Sequence, residues 1–303
     1  MKTSDAFSAE ASLAVQLFIP AAIATITLAM GLGLQVADFR RVLESPRATV
    51  VGVLSQIVLL PAVGFLVAWA ADLPPELAVG LVLLTAAPGG PSSNLYSHLA
   101  RGDVALSVTL TAVSGVVTVV TIPLVMALAL DVFLGASATL SLPVGETVLQ
   151  IALVVALPLA LGMGLRTRRP AFAAQLERVL LWVSVLLLCV LIAGAVMRES
   201  TRVGDALATL ALPVAAVAGG GMLLGFVASR LARLGRPQAV TIAIEVGMQN
   251  AALAIGLAMG PLANDAMAMP AVVYGLFAYL ACAVWIPIGR AMARRDEARP
   301  PSR

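Results

Sequence analysis

Charge is scarce in this chain. Only 12% of its 303 residues are Asp, Glu, Lys or Arg, about half of what a soluble domain of this length carries. Histidine occurs once, as His98, and cysteine twice, as Cys189 and Cys282. Two lone cysteines inside apolar runs make neither a disulfide framework nor a metal site. One histidine and no His/Asp/Glu cluster leave an intramembrane hydrolase without the groups it needs. No catalytic residue is expected, and the chain is not read as an enzyme. The apolar/polar alternation of a transmembrane β-barrel is missing too. The N-terminal "MKTSDAFSAEAS" lacks the basic segment of a secretory signal, and no clear small-residue cleavage site follows the next apolar run. That run is read as a retained first span. No organelle-targeting extension is evident, so a bacterial inner (plasma) membrane is the expected location.

What is present is hydrocarbon. Hydrophobic residues make up 60% of the chain, and the mean hydropathy is +1.01. Apolar runs of about 20 residues recur, the length that crosses a bilayer as a helix. The expected fold is an all-α polytopic membrane protein with about nine transmembrane helices. They fall at about 13–34, 47–70, 77–100, 103–131, 143–165, 179–197, 208–233, 238–260 and 270–291. An odd count puts the termini on opposite sides. With the C-terminus cytoplasmic and the N-terminus outside, 16 of the 19 basic residues fall in cytoplasmic loops or the tail, as the positive-inside rule demands. Only Lys2, Arg198 and Arg202 lie outside. The net charge of +3 sits in short clusters between runs, which is lipid anchoring and not a nucleic-acid surface. The loops are too short for a soluble domain, so residues 1–303 form one membrane domain, open to division into two sub-bundles.

Two spans are wrong for ordinary helices. In "LVLLTAAPGGPSSNLYSHLARGD" (81–103), Pro88, Gly89, Gly90 and Pro91 fall mid-span. Proline removes a donor and clashes with the preceding turn, and glycine adds freedom. A break followed by a half-helix is expected, with Pro91 suited to its first turn. Ser92, Ser93 and Asn94 could cap that turn or bind an ion. In "AIEVGMQNAALAIG" (243–256), Glu245, Gln249 and Asn250 are buried in an apolar run. A carboxylate at the centre of a membrane helix costs about 2.5–3.5 kcal/mol or more. Groups at i, i+4 and i+5 spread around a regular helix, so unwinding near Gly247 would gather them. A structural polar network locking the bundle is the plainer alternative. One interruption lies in each half of the chain, the sequence pointer to a transporter's binding site. Spans 2–4 and 7–9 would be inverted triplets, a reading that rests on topology. "GGGM" (219–222) and "GLAMG" (256–260) would let helices approach closely.

The segments "MGLGLQVADFRRVLESPRATVVGVLSQIVLLP" (30–61), "APGGPSSNLYSHLARGDVALSVTLTAVSGVVTVVTIPL" (87–124) and "IEVGMQNAALAIGLA" (244–258) resemble the bile acid:sodium symporter family. The resemblance runs from about residue 20 to residue 290. It implies an inverted-repeat core in which the two interrupted helices cross, at about 47–131 and 208–291. It also implies a smaller panel domain at about 13–34 and 143–197. By the same resemblance, one sodium site would use Ser93, Asn94, Ser107, Thr111 and Glu245. A second would use Gln56, Glu245, Gln249 and the carbonyls of Val246 and Met248. The chemistry agrees: sodium is a hard cation that takes oxygen ligands, and Ser107 and Thr111 share one helix face. Pro91, Ser92 and Asn250 would border the substrate. Pro91 and Ser92 stand where many relatives have a small hydroxyl residue and Ala, which bears on the substrate and not on the ions. His98 replaces a commoner aromatic and is read as an interfacial packing residue. Arg166, Arg168 and Arg169 are read as topological anchors.

The expected function is a sodium-coupled symporter importing a small organic anion by alternating access. The anion would be bile-acid-like, a 2-keto acid, or of the pantoate/pantothenate class. Sodium ions are the coupling ions, no cofactor is expected, and the lipid bilayer is the surrounding partner. A non-transporting sensor of sodium or an organic anion is the alternative from another class. A metalloid efflux permease is a third reading, but it would want a thiol near the break.

Overall fold

The computed structural model describes residues 2–90, 92–135, 144–198 and 203–297. Among these residues every extended element is helical, and the one isolated β-bridge joins Gly89 to Gln249. Helix α1 (Lys2–Gly33) turns through 64° into the short α2 (Val36–Arg40) and a 3-10 turn. The next rod, Pro46–Ala70, is built from α3 (Pro46–Leu54), a π turn (Ser55–Leu59) and α4 (Leu60–Ala70). Then come α5 (Pro75–Ala86), α6 (Ser92–Leu99) and α7 (Val104–Leu134). The second half holds α8 (Val144–Arg168), α9 (Pro170–Arg198), α10 (Val203–Leu231), α11 (Arg236–Gly247), α12 (Ala251–Met259) and α13 (Met269–Glu297).

Six of these helical rods are long and apolar enough to cross a membrane, or seven if the bent α1–α2 pair is one span. The outer surface agrees with that. On α8, Leu149, Leu153, Leu157 and Leu161 recur every fourth residue and are all more than half exposed. Such a stripe belongs in lipid, and the chain is an integral membrane protein. The halves of the two interrupted segments are much shorter. Helices α5, α6, α11 and α12 have 12, 8, 12 and 9 residues. At about 1.5 Å per residue each reaches roughly halfway across a 30 Å core.

Proline and short polar side chains set the helix starts. Proline opens the first turn of α3, α5 and α11, where its missing donor costs nothing. Asp103 caps α7 by accepting from the Leu106 amide at 3.0 Å, and Asn250 caps α12 by accepting from Leu253 at 3.0 Å. Helix α9 begins at Pro170, well before the apolar run near 179. Hydropathy reports the bilayer and not the helix, so the polar first turns of α9 were invisible to it. The π turn in the second rod was also unexpected, because "SQIVL" carries no glycine or proline.

Packing follows two groupings. Helix α1 lies on α8 and α9, whereas α4, α5 and α7 pack together and α10 packs on α11, α13 and α4. Glycine sets the closest approaches. A Cβ on Gly162 would lie 2.6 Å from the Leu28 oxygen and 2.7 Å from the Leu32 nitrogen of α1. A Cβ on Gly225 would lie 2.7 Å from the Ile242 oxygen of α11. Gly221 and Gly256 also lie against neighbouring helices, as their motifs suggested.

Gly162→Ala should therefore lower stability by about 1–3 kcal/mol through overpacking. Gly164→Ala, with nothing within 4 Å of its Cβ position, should be neutral or stabilise by up to about 1 kcal/mol. Thermal unfolding of the two variants in detergent checks the contrast.

Candidate functional site

The two helix breaks meet. Helix α5 stops at Ala86, and Ala87 is extended at φ −65°, ψ 147°, the conformation a following proline imposes. Helix α11 stops at Gly247, and Met248 is extended at φ −116°, ψ 95°. The two links run antiparallel. The Asn250 amide donates to the Pro88 carbonyl at 2.9 Å, beside the Gly89–Gln249 bridge. Each break thus satisfies backbone groups that the other exposes. Tyr274 of α13 completes the arrangement. Its hydroxyl accepts from the Gln249 amide at 2.9 Å and donates to the Gly247 carbonyl.

Glu245 lies in the last turn of α11, 1% exposed. Its carboxylate accepts from Ser107 Oγ at 3.0 Å and from Thr111 Oγ1 at 2.6 Å. Ser93 lies beside it, its hydroxyl donating to the Gly90 carbonyl at 2.8 Å. A Cβ on Gly89 would come within 2.5 Å of the same carboxylate, so a larger residue there would have to displace Glu245 from its partners. Two ion pairs lie elsewhere, Arg41 with Asp38 and Arg166 with Glu177. The groups that donate to this carboxylate are hydroxyls.

Gln56 enters from the π turn. Its Nε2 donates to Gln249 Oε1 at 2.6 Å and to the Ala87 carbonyl at 3.2 Å. The Gln249 amide in turn donates to the Val246 carbonyl at 2.7 Å. The Gln56 Oε1 and Asn94 Oδ1 atoms are buried and lack a hydrogen-bond partner. Such atoms carry a desolvation cost of about 1–3 kcal/mol each. Of the residues singled out in the sequence, Ser93, Ser107, Thr111 and Glu245 form one cluster. Gln56, Val246 and Gln249 form a second, with Met248 in the link between Glu245 and Gln249. Asn94 follows Ser93 on α6. Pro91 lies outside the described residues.

A cavity of about 130 Å³ separates this crossing from α1 and α9. Ser92, Gln249, Asn250 and Tyr274 line it on one side, and Met30 and Ser184 on the other. At about 10–15 Å³ per water, it has room for on the order of ten water-sized atoms. A second cavity, of about 260 Å³, shares Met30 as a wall and is bordered by Asn94, Thr111 and Asp38. The Arg166–Glu177 pair, at 3.3 Å, also borders it, so Arg166 is more than a surface anchor. Three residues were missed from the sequence. Met30 accepts from Asn250 Nδ2 at 3.2 Å, and Ser184 presents a buried Oγ with no partner. Nothing local marks either one. Tyr274 did carry a signal, since a tyrosine in an apolar run needs a partner for its hydroxyl.

Residues 20–205 match the sodium bile acid symporter family. The chain is 32% identical over 233 residues to the "Uncharacterized sodium-dependent transporter YocS" of Bacillus subtilis (strain 168), covering 77% of this chain and 71% of that one. It is 33% identical over 250 residues to a "Probable sodium/metabolite cotransporter BASS2, chloroplastic" of Oryza sativa subsp. japonica, covering 82% and 58%. It is 32% identical over 250 residues to a "Probable sodium/metabolite cotransporter BASS1, chloroplastic" of Arabidopsis thaliana, covering 82% and 61%. The chain thus spans about three fifths of the two plant proteins. The family match ends before α11 begins and covers Ser107 and Thr111, the partners of Glu245, and Ser93 beside it.

Tyr274→Phe removes the hydroxyl that joins Gly247 to Gln249 and leaves two buried backbone groups unpaired. The expected loss is about 1–3 kcal/mol. Thermal unfolding reads it, and an unchanged midpoint would show that the link holds its shape without the tyrosine.

Proposed function

The chain belongs to the sodium bile acid symporter family, and on that premise we propose that it is a sodium-coupled secondary transporter importing a small organic anion by alternating access. The observation that carries the reading is a surplus of buried oxygen. Glu245 is surrounded by hydroxyls, while Gln56 Oε1 and Asn94 Oδ1 have no donor. A hard cation with oxygen ligands suits such a set. One ion would sit among Ser93, Asn94, Ser107, Thr111 and Glu245. A second would draw on Gln56, Glu245, Gln249 and the carbonyls of Val246 and Met248. The amide donors of Gln56 and Gln249 now hold the Gln249, Ala87 and Val246 oxygens. A cation is an equivalent partner for those oxygens, so these amides would turn as it binds.

The remaining architecture is inferred in the same way. Nine spans are counted if each interrupted segment crosses once, and spans 2–4 and 7–9 form inverted triplets. The core is about 47–131 and 208–291, and the panel about 13–34 and 143–197. The mutual packing of α1, α8 and α9 supports that division. The distribution of arginines supports an outside N-terminus and a cytoplasmic C-terminus in a bacterial inner membrane. The anion would lie in the cavity between panel and core, beside Ser92 and Asn250. The half-helices α6 and α12 begin there, and helix N-termini favour negative charge. The small cavity supports the 2-keto acid or pantoate/pantothenate class over a steroid. Met30 stands between the two cavities, where a relative shift of panel and core would open or close the route.

Thermal unfolding in sodium against potassium tests the ion sites. Sodium at 100 times its Kd should add about 2.7 kcal/mol. Glu245→Gln keeps partners for Ser107 and Thr111 but loses the charge, so it should stay folded and lose the sodium-specific gain. A folded variant with the full gain would overturn the ion assignment. Uptake of candidate anions into proteoliposomes under a sodium gradient then separates transport from sensing: a sensor binds and moves nothing.

A further inference from the structure

A third cavity, of about 340 Å³, lies at the end of α6 away from the crossing. His98, Leu99, Arg101, Arg290 and Arg294 line it. Three guanidiniums and an imidazole converge there, and none of the described lining residues is acidic. They come from α6, from the turn before α7 and from the last turns of α13. The frame that holds them is rigid. Arg290 Nε donates to the Leu99 carbonyl at 2.9 Å, at the C-terminus of α6. Gly289 packs so closely on the Ala100 carbonyl that a Cβ has no room. The rings of Tyr96 and Tyr279 tie the same two helices together, with centroids 6.4 Å apart. Arg101 itself adopts a left-handed backbone at φ 55°.

The surface beside the pocket is apolar. Leu280, Ala283 and Pro287 are exposed on the face of α13 that ends in Arg290 and Arg294. Leu95, 57% exposed, stands one turn before His98 on α6. The apolar run of α13 gives way to Arg290, Arg294 and Arg295, the change of composition that marks a membrane–water interface. We propose that this pocket binds the phosphate of an anionic phospholipid, whose acyl chains lie along Leu280, Ala283, Pro287 and Leu95. Basic pockets between membrane helices take such headgroups. A free phosphate would meet the basic side chains but leave the apolar strip unused. The bound lipid braces α6 against α13, and α6 carries Ser93 and Asn94. His98 then serves as a headgroup donor and not merely as a packing residue. None of this depends on whether sodium is the coupling ion.

The test compares the full chain in nanodiscs of phosphatidylcholine alone and with phosphatidylglycerol. Lipid retention is read by native mass spectrometry and stability by thermal unfolding. The wild type should retain phosphatidylglycerol preferentially and unfold later in its presence. Arg101→Gln/Arg294→Gln spares the Arg290–Leu99 bond and should lose about five-fold in preference per guanidinium, on the order of thirty-fold together. If the double variant does not fold, Arg294→Gln alone carries the test with the five-fold loss. The control Arg40→Gln/Arg178→Gln removes two exposed arginines elsewhere and should keep the preference. Full preference in the pocket variant, or an equal loss in the control, overturns the proposal. Inorganic phosphate that stabilises the wild type in phosphatidylcholine as much as phosphatidylglycerol does assigns the pocket to soluble phosphate and overturns it equally.

Discussion

Two helices stop halfway through this protein, and the rest is arranged around making that tolerable. A backbone that leaves the helix at membrane depth exposes donors and acceptors with no water to take them. Here the two breaks answer one another. The Asn250 amide reaches the Pro88 carbonyl, Gly89 pairs with Gln249, and Tyr274 spans the second link. Neither break would be affordable alone. The crossing therefore requires both halves of the chain at once, which is why residues nearly two hundred positions apart, Gln56 and Gln249, share a hydrogen bond.

The crossing also creates the chemistry. Helix ends bring partial charges and loose carbonyls to one place, and the sequence puts a carboxylate there too. Glu245 accepts hydrogen bonds from two hydroxyls on α7. Hydroxyls ease the burial of an anion without cancelling it. The amide oxygens of Gln56 and Asn94, buried and unsatisfied, add to the same imbalance. A merely structural network would be expected to close on itself, since a half-satisfied one is worse than an apolar core. This one stays open on its oxygen side, the side that the proposed cation would fill.

Much of this was legible, for different reasons in each half. The run Pro88–Gly89–Gly90 announces its break by backbone chemistry alone. The second break has no proline, and only the cost of Glu245, Gln249 and Asn250 in lipid pointed to it. Both breaks fall where those arguments placed them, after Ala86 and after Gly247. The contacts of Met30, Tyr274 and Ser184 were not legible, because they depend on which helix lies opposite. The π turn at Ser55–Leu59 was hidden for another reason. A π insertion is a small adjustment of an otherwise regular helix, stabilised by what it presents, here the buried Gln56, and not by its own residues. Helix starts such as that of α9 were missed because polar turns beyond the bilayer carry no apolar signal.

In the proposed reading, coupling between ion and anion would follow from the shortness of the second link. Met248, Gln249 and Asn250 are the whole of it. Gln249 belongs to the proposed ion set and also lines the anion cavity; Asn250 lines the cavity, caps α12 and touches Met30. A cation that turned the Gln249 side chain would act on a residue joined by one peptide bond to the cap of α12. It would also act across a single contact from the wall between the two cavities. Coupling free energies in proteins are typically about 1–3 kcal/mol, the scale of one or two such hydrogen bonds. No long pathway is needed. The two proposed sites are neighbours on one three-residue link, and the same backbone pairing that makes the break tolerable would make them interdependent.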